Sequence, residues 1–176
     1  MSYIIFDLEL NSKPFKNRHP NEIIEIGAVK LDESLNGMGA FQSFVRPRLY
    51  KKLFSIVKEK TSIRQDDINN AEGFREVISR FRQWIGAGYI MCCWGHDDIH
   101  HLKANCRFNS VNSSWFNKSI DIQKHFSRLY NLPAGQTHSL KAALELLGIP
   151  VEARLHRAGA DAGYTAEVFK SIFNRL

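Results

Sequence analysis

The chain opens on Tyr3-Ile4-Ile5-Phe6 and then turns acidic at Asp7 and Glu9. Four β-favouring apolar residues in a row are too few for a helix and suit a strand buried on both faces, which commits the chain to a sheet with layers on either side. Side chains alternate along a strand, so Asp7 and Glu9, two apart where the run ends, point to one face and repel each other. A hard divalent cation such as Mg²⁺ or Mn²⁺ prefers carboxylate oxygens and would satisfy such a pair. An isolated Asp-x-Glu is also common at solvated strand ends.

Further along, Ile23 to Leu31 mixes alternation with β-branched residues, and Gly39 to Val45 reads as a third strand closed by Arg46-Pro47. Val77, Ile78, Phe81, Trp84 and Ile85 recur at helical spacing from Phe74 until Gly86 and Gly88 end the pattern. Tyr89 to Trp94 is another short strand-like run, followed by a polar stretch with Asp97, Asp98, Leu102 and Phe108 that reads as a helix. Leu140, Leu144 and Leu147 share one helical side before Gly148-Ile149-Pro150, and a last helix is expected from near Asp161 with Thr165, Val168, Phe169, Ile172 and Phe173 as its apolar stripe. Strands first, then strands alternating with helices, predict an α/β fold with a mixed sheet. No repeat or linker divides the chain, so residues 1–176 are expected to form one domain, with 12–21 its loosest segment.

The apolar fraction of 44% and charged fraction of 24% are those of an ordinary globular protein. Lys plus Arg outnumber Asp plus Glu by 24 to 18, a net charge of +6 that would draw polyanions. Cys92, Cys93 and Cys106 are odd in number and form no metal-ligand spacing, which argues against a disulfide framework or zinc site and for a reducing, cytoplasmic setting. No apolar run approaches the length that spans a bilayer, so no membrane partner is expected.

Two more acidic elements complete the pattern. Trp94-Gly95-His96-Asp97-Asp98 follows a buried strand; alone it could simply place negative charge at a helix N-terminus. His156-Arg157-Ala158-Gly159-Ala160-Asp161-Ala162 carries small residues that permit close packing, and alone Asp161 reads as an N-cap.

Together, an acidic pair, a later acid and a final His-x4-Asp resemble the three exonuclease motifs of the DEDD superfamily in its histidine-bearing (DEDDh) branch. Glu22-Ile23-Ile24-Glu25-Ile26-Gly27-Ala28-Val29-Lys30 is similar to that family's second strand, and His138-Ser139-Leu140-Lys141 to its helix before the third motif. The resemblance covers nearly the whole chain and comes nearest to the histone-mRNA and small-RNA trimming exonucleases, with bacterial KapD-like sporulation-inhibitor homologues. It implies a ribonuclease H-like fold, a mixed five-stranded sheet flanked by helices. It also implies 3′-to-5′ hydrolysis of single-stranded nucleic acid from its 3′-hydroxyl end, RNA preferred, releasing nucleoside 5′-monophosphates with two Mg²⁺ or Mn²⁺ ions. On this resemblance Asp7 bridges both ions, Glu9 and Asp161 bind the first, Asp98 acts through water on the second and His156 is the general base. Asp98 is chosen over Asp97 because Trp94-Gly95-x-x-Asp98-x-x-x-Leu102 matches the family's phase. Leu10 and Asn11 are the implied contacts to the terminal nucleotide.

This sequence departs from relatives at Ala160, where many carry a further Asp, at Ser62, commonly glycine, and at Asn11, frequently threonine. Arg46, Arg48, Lys51, Lys52, Lys58, Lys60 and Arg64, interrupted by Leu49, Tyr50, Leu53, Phe54 and Ile56, form a basic stretch suited to single-strand binding or to a solvated cationic face. A rival from another class is a regulatory protein that keeps the fold and acts by partner contact.

Overall fold

The computed structural model describes residues 1–13, 18–133, 136–153 and 155–175. Three strands open the chain, β1 (Ser2–Asn11), β2 (Glu22–Leu31) and β3 (Gly37–Phe44). Helices α1 (Ser55–Thr61), α2 (Gln65–Asn69) and α3 (Phe74–Ile85) follow, then β4 (Tyr89–Cys93), α4 (Asp97–Phe108), β5 (Ser119–Asp121), α5 (Ile122–Leu129), α6 (Leu140–Leu147) and α7 (Ala158–Ile172). The sheet has five strands in the order β3-β2-β1-β4-β5. Its first three are antiparallel and β1, β4 and β5 run parallel, the mixed sheet that the pattern of runs predicts. Of the expected loose segment 12–21, residues 14–17 lie outside the described ones.

Strand β1 carries both layers. Ile4, Phe6 and Leu8 pack on one face with Val77 and Phe81 of α3 and Leu102 of α4. Tyr3 and Ile5 pack on the other with Phe126 of α5, Leu144 of α6 and Phe169 of α7. A smaller cluster of Ile24, Leu53, Val57, Ile63 and Ile68 seats α1 and α2 against β2. Ser62 ends α1 with φ +58°, its N–H donating to the Lys58 carbonyl; this left-handed position is one that glycine adopts without a Cβ penalty.

Two expectations need correction. The apolar run does not end where it turns acidic: β1 continues through Asp7 and Glu9, paired with Gly27 and Glu25 of β2, and bulges only between Glu9 and Leu10. Leu8 and Leu10 keep one face in the core, which carries the strand past its acids. Strand β4 accompanies β1 only from Ser2↔Tyr89 to Ile5↔Cys92. The acids therefore occupy a stretch of β1 that has a neighbour on one side only, at the carboxyl ends of the parallel strands, where open α/β sheets leave a crevice. The second correction concerns α7, which starts at Ala158, so Asp161 sits one turn inside it and its N–H donates to the Arg157 carbonyl at 2.9 Å.

Helix α7 enters directly against β2. A Cβ built on Gly27 would lie 2.1 Å from the Ala158 carbonyl carbon and 2.2 Å from the Gly159 nitrogen, both backbone atoms. Gly27→Ala must therefore lift the start of α7 off the sheet. We expect it to destabilise the protein by about 1–3 kcal/mol, the range for overpacking a fitted site, read by urea unfolding. An unchanged unfolding midpoint would show that the helix start yields freely.

Candidate active site

Three elements bring the predicted acids together: β1 supplies Asp7 and Glu9, the first turn of α4 supplies Asp98, and α7 supplies Asp161. Ligand atoms of Glu9, His156 and Asp161 lie within 4.8 Å of one another. His156 is exposed at the rim, with φ +68°, and its backbone N–H donates to the Asp161 carboxylate at 3.1 and 3.3 Å. A non-glycine residue in the left-handed region is uncommon and is held there by its surroundings.

The electrostatics follow from crowding anions into protein. Burial pushes the Asp7 carboxyl well above the usual range, and the carboxylates of Asp98, Asp161, Glu9 and Glu25 push it further. Burial, then Glu9, Asp97 and Asp161, raise Asp98 to about 8, against a backbone hydrogen bond with Leu8 that lowers it. Glu9 rises to about 7, chiefly by burial, although Lys60 of α1 and Arg157 pull it down. Asp161 rises to about 6 by burial, offset by the His156 N–H and Lys60. Asp98 thus belongs to the cluster, whereas its neighbour Asp97 is exposed. A set of oxygen donors that resist ionising together, with few counter-charges, is the donor chemistry a hard divalent cation takes.

Behind this cluster stands Glu25, to which the sequence reading assigns no role. It is fully buried, and its carboxylate accepts from Arg157 Nη2 at 2.8 Å and Nε at 3.1 Å, from the Ala158 N–H at 3.2 Å and from Gln42 Nε2 at 2.7 Å. The fork holds both sides of the peptide that turns His156 into α7. A signal was present: an acid inside Ile23-Ile24-Glu25-Ile26 must find a partner when the strand is buried, and a bidentate partner for a carboxylate is an arginine.

The two expected nucleotide contacts fare differently. Leu10 is partly buried beside the bulge after Glu9. Asn11 is 1% exposed, both hydrogens of its amide go to the carbonyls of Tyr50 and Lys52, and its oxygen accepts from the Phe54 N–H. Its side-chain amide has no hydrogen left for a ligand and brackets the loop that leads into α1. Glu22 acts alongside it, its carboxylate accepting from the N–H groups of Arg48, Leu49 and Tyr50.

The exonuclease family RNase_T matches residues 4–169. The PolC-type DNA polymerase III of Clostridium perfringens is 30% identical over 177 residues, covering 99% of this chain and 11% of the polymerase. The 3′-5′ exoribonuclease 1 of Rattus norvegicus is 29% identical, covering 84% of this chain and 46% of the relative. The probable 3′-5′ exonuclease KapD of Bacillus subtilis is 27% identical, covering 97% of this chain and 84% of KapD. The chain thus spans about half of the exoribonuclease and about a tenth of the polymerase. Among solved structures, the nuclease domain of 3′hExo, a DEDDh family member bound to rAMP, superposes with a TM-score of 0.88 at 26% identity, covering 99% of this chain and 92% of that domain.

The raised carboxyls make a prediction for the protein held in chelator. A carboxyl whose pKa is higher folded than unfolded stabilises the fold fully below the unfolded value near 4. That contribution is lost as pH rises through the folded values of about 6 for Asp161, 7 for Glu9 and 8 for Asp98. The melting temperature should fall between pH 5.5 and 8.5, and Asp98→Asn should flatten the upper part of that fall. A melting temperature that is level, or that rises across this window, contradicts the assigned electrostatics.

Proposed function

Because the chain belongs to the RNase_T exonuclease family and so is a nuclease hydrolase, we propose that it removes nucleotides singly from the 3′-hydroxyl end of single-stranded nucleic acid, releasing nucleoside 5′-monophosphates. The observation that carries this reading is the convergence of Asp7, Glu9, Asp98 and Asp161 from β1, α4 and α7 in one crevice with resisted ionisation. RNA is the preferred strand in this reading, supported by the exoribonuclease relative and by the rAMP bound to the similar nuclease domain.

Metal dependence is typical of the family, and in this reading the four carboxylates would hold two Mg²⁺ or Mn²⁺ ions, Asp7 contributing to both, Glu9 and Asp161 to the first and Asp98 to the second. Such ions would supply an activated water and positive charge for the leaving 3′-oxygen. The protein's own groups do the rest. His156 stands at the rim beside Glu9 and Asp161, within a water's breadth of their oxygens, where its imidazole accepts the proton of the attacking water. The Asp161 carboxylate fixes the His156 backbone, and the Glu25 fork fixes the next two residues. Lys60 and Arg157, which already pull on Glu9, add positive charge for the incoming phosphodiester. In this reading Leu10, partly buried beside the bulge, would contact the terminal base.

End-labelled RNA and DNA strands incubated with Mg²⁺, Mn²⁺ or EDTA test the reading. We expect cation-dependent release of 5′-monophosphates from the 3′ end, sharp slowing by a 3′-phosphate, and no activity in folded Asp7→Ala. Rapid internal cutting of a circular single strand would show an endonuclease instead. His156→Ala should lower kcat by a factor of about 10² to 10⁴ with cation affinity retained; loss of cation affinity in step with kcat would make His156 a ligand rather than the base.

A further inference from the structure

Two hollows open beside α3 and the C-terminal half of α4, away from the acid crevice. They enclose about 570 and 580 Å³, and Arg75 lines both, so they adjoin. The first is bordered by Arg46, Arg48 and Lys51 from the segment after β3, the second by Arg82 of α3 and by Trp115. All five cations are exposed. Arg75 and Arg82 stand seven residues apart, two turns of α3, and so share its outer face.

Of the acids along these walls, Glu22 does little to offset them. Glu22 lines the first hollow, but its carboxylate is turned into the N–H groups of residues 48–50. Glu76 is the other acid lining it. Two guanidinium groups are already set against rings, Arg48 over Phe108 and Arg82 over Trp115, each at 5.5 Å. Arg75 Nε donates to the Asn109 carbonyl at 2.8 Å, which fixes it where the hollows meet.

Helix α4 connects this place to the acids. It carries Asp98 in its first turn, and Asn105 and Asn109 line the first hollow. At 1.5 Å per residue these stand about 10 and 16 Å from Asp98 along the helix axis. A chain of phosphates leaving the crevice along α4 would reach the arginines a few nucleotides upstream.

We propose that this arginine-lined groove holds the sugar–phosphate backbone of the substrate strand upstream of the nucleotide being removed, with Arg46, Arg48, Lys51 and Arg75 facing phosphates and the Arg82 guanidinium, set on Trp115, meeting a base. The proposal rests on the exonuclease reading for the identity of the strand. Charge selects a polyanion, and guanidinium groups set against rings suit a single strand, whose bases are free to stack. An acidic protein surface would meet the same cations but would show no dependence on strand length.

The test compares hydrolysis of strands of about 4, 8 and 16 nucleotides, spanning site sizes usual for single-strand grooves, with hydrolysis of the p-nitrophenyl ester of thymidine 5′-monophosphate, which fills only the acid crevice. In the wild type KM should fall as the strand lengthens. The Arg46→Ala/Arg75→Ala protein should show KM for the longest strand raised about tenfold and a salt slope shallower by about two, one per phosphate contact removed. Its ester hydrolysis should stay within about twofold of wild type, and Arg46→Lys/Arg75→Lys should restore much of the strand affinity, since lysine still meets phosphate as a point charge. A wild-type KM indifferent to length, a double variant that cuts long strands with wild-type KM, or ester hydrolysis falling in step with strand hydrolysis would each overturn the groove. If the wild type hydrolyses neither ester nor strand, the exonuclease reading fails separately. Fluorescence anisotropy with a labelled strand then reads the groove alone: length-dependent binding lost in the alanine variant supports it, and equal binding by both proteins overturns it.

Discussion

The buried fork between Glu25 and Arg157 is the interaction on which the arrangement of the candidate site depends. It joins the middle of β2 to the start of α7 across more than a hundred residues of sequence, at 2.8 and 3.1 Å, and the same carboxylate takes the Ala158 N–H. A helix start leaves N–H groups without partners; here a strand supplies one acceptor from its side chain. Two residues along β2, Gly27 provides the space for that helix start. One strand thus contributes the charge that captures α7 and the missing Cβ that lets it arrive. A charge with no exposure cannot lose its partner cheaply, since the remaining group would be left desolvated and unpaired.

What the clamp holds in place is unfavourable by itself. Asp7, Glu9, Asp98 and Asp161 gather where ionisation is resisted, and among the described residues Lys60 and Arg157 pull against it for Glu9. The core on both faces of β1 compensates: Phe6 and Leu8 on one side and Ile5 with Phe169 on the other keep the strand seated while it presents acids. Such stored electrostatic tension is common where a protein awaits a cation or substrate. The same logic accounts for His156, whose left-handed backbone is kept by the carboxylate of Asp161.

Much of this was legible in the sequence because the signals are local. Apolar runs marked β1, β2, β3 and β4, and helical spacing with terminal glycines marked α3 and α6, whose ends at Gly86 and Gly148 agree with the structure. The short elements α1, α2 and β5 escaped because few residues carry their pattern, and α2 is five mostly polar residues. Helix α5 was also missed, although Ile122, Phe126 and Leu129 share one side of it. Taken alone Asp161 reads as a cap, because the acceptor at the helix start, Glu25, lies in a distant strand. The bracing role of the Asn11 amide was hidden for the same reason: the carbonyls that engage it belong to residues 50 and 52. Side chains satisfied by remote backbone leave no local mark, whereas the acids converge as their spacing along buried strands and a helix start implies.

In the proposed cation site the carboxyls hold protons until a divalent cation displaces them. Calorimetric titration of the protein with Mg²⁺ or Mn²⁺ at pH 7, in two buffers of different ionisation enthalpy, measures this directly. The account predicts saturable binding with release of protons, their number falling as pH rises past the value of about 8 for Asp98, and loss of that binding in Asp7→Asn. Binding without proton release, or binding that survives unchanged in Asp7→Asn, would contradict it.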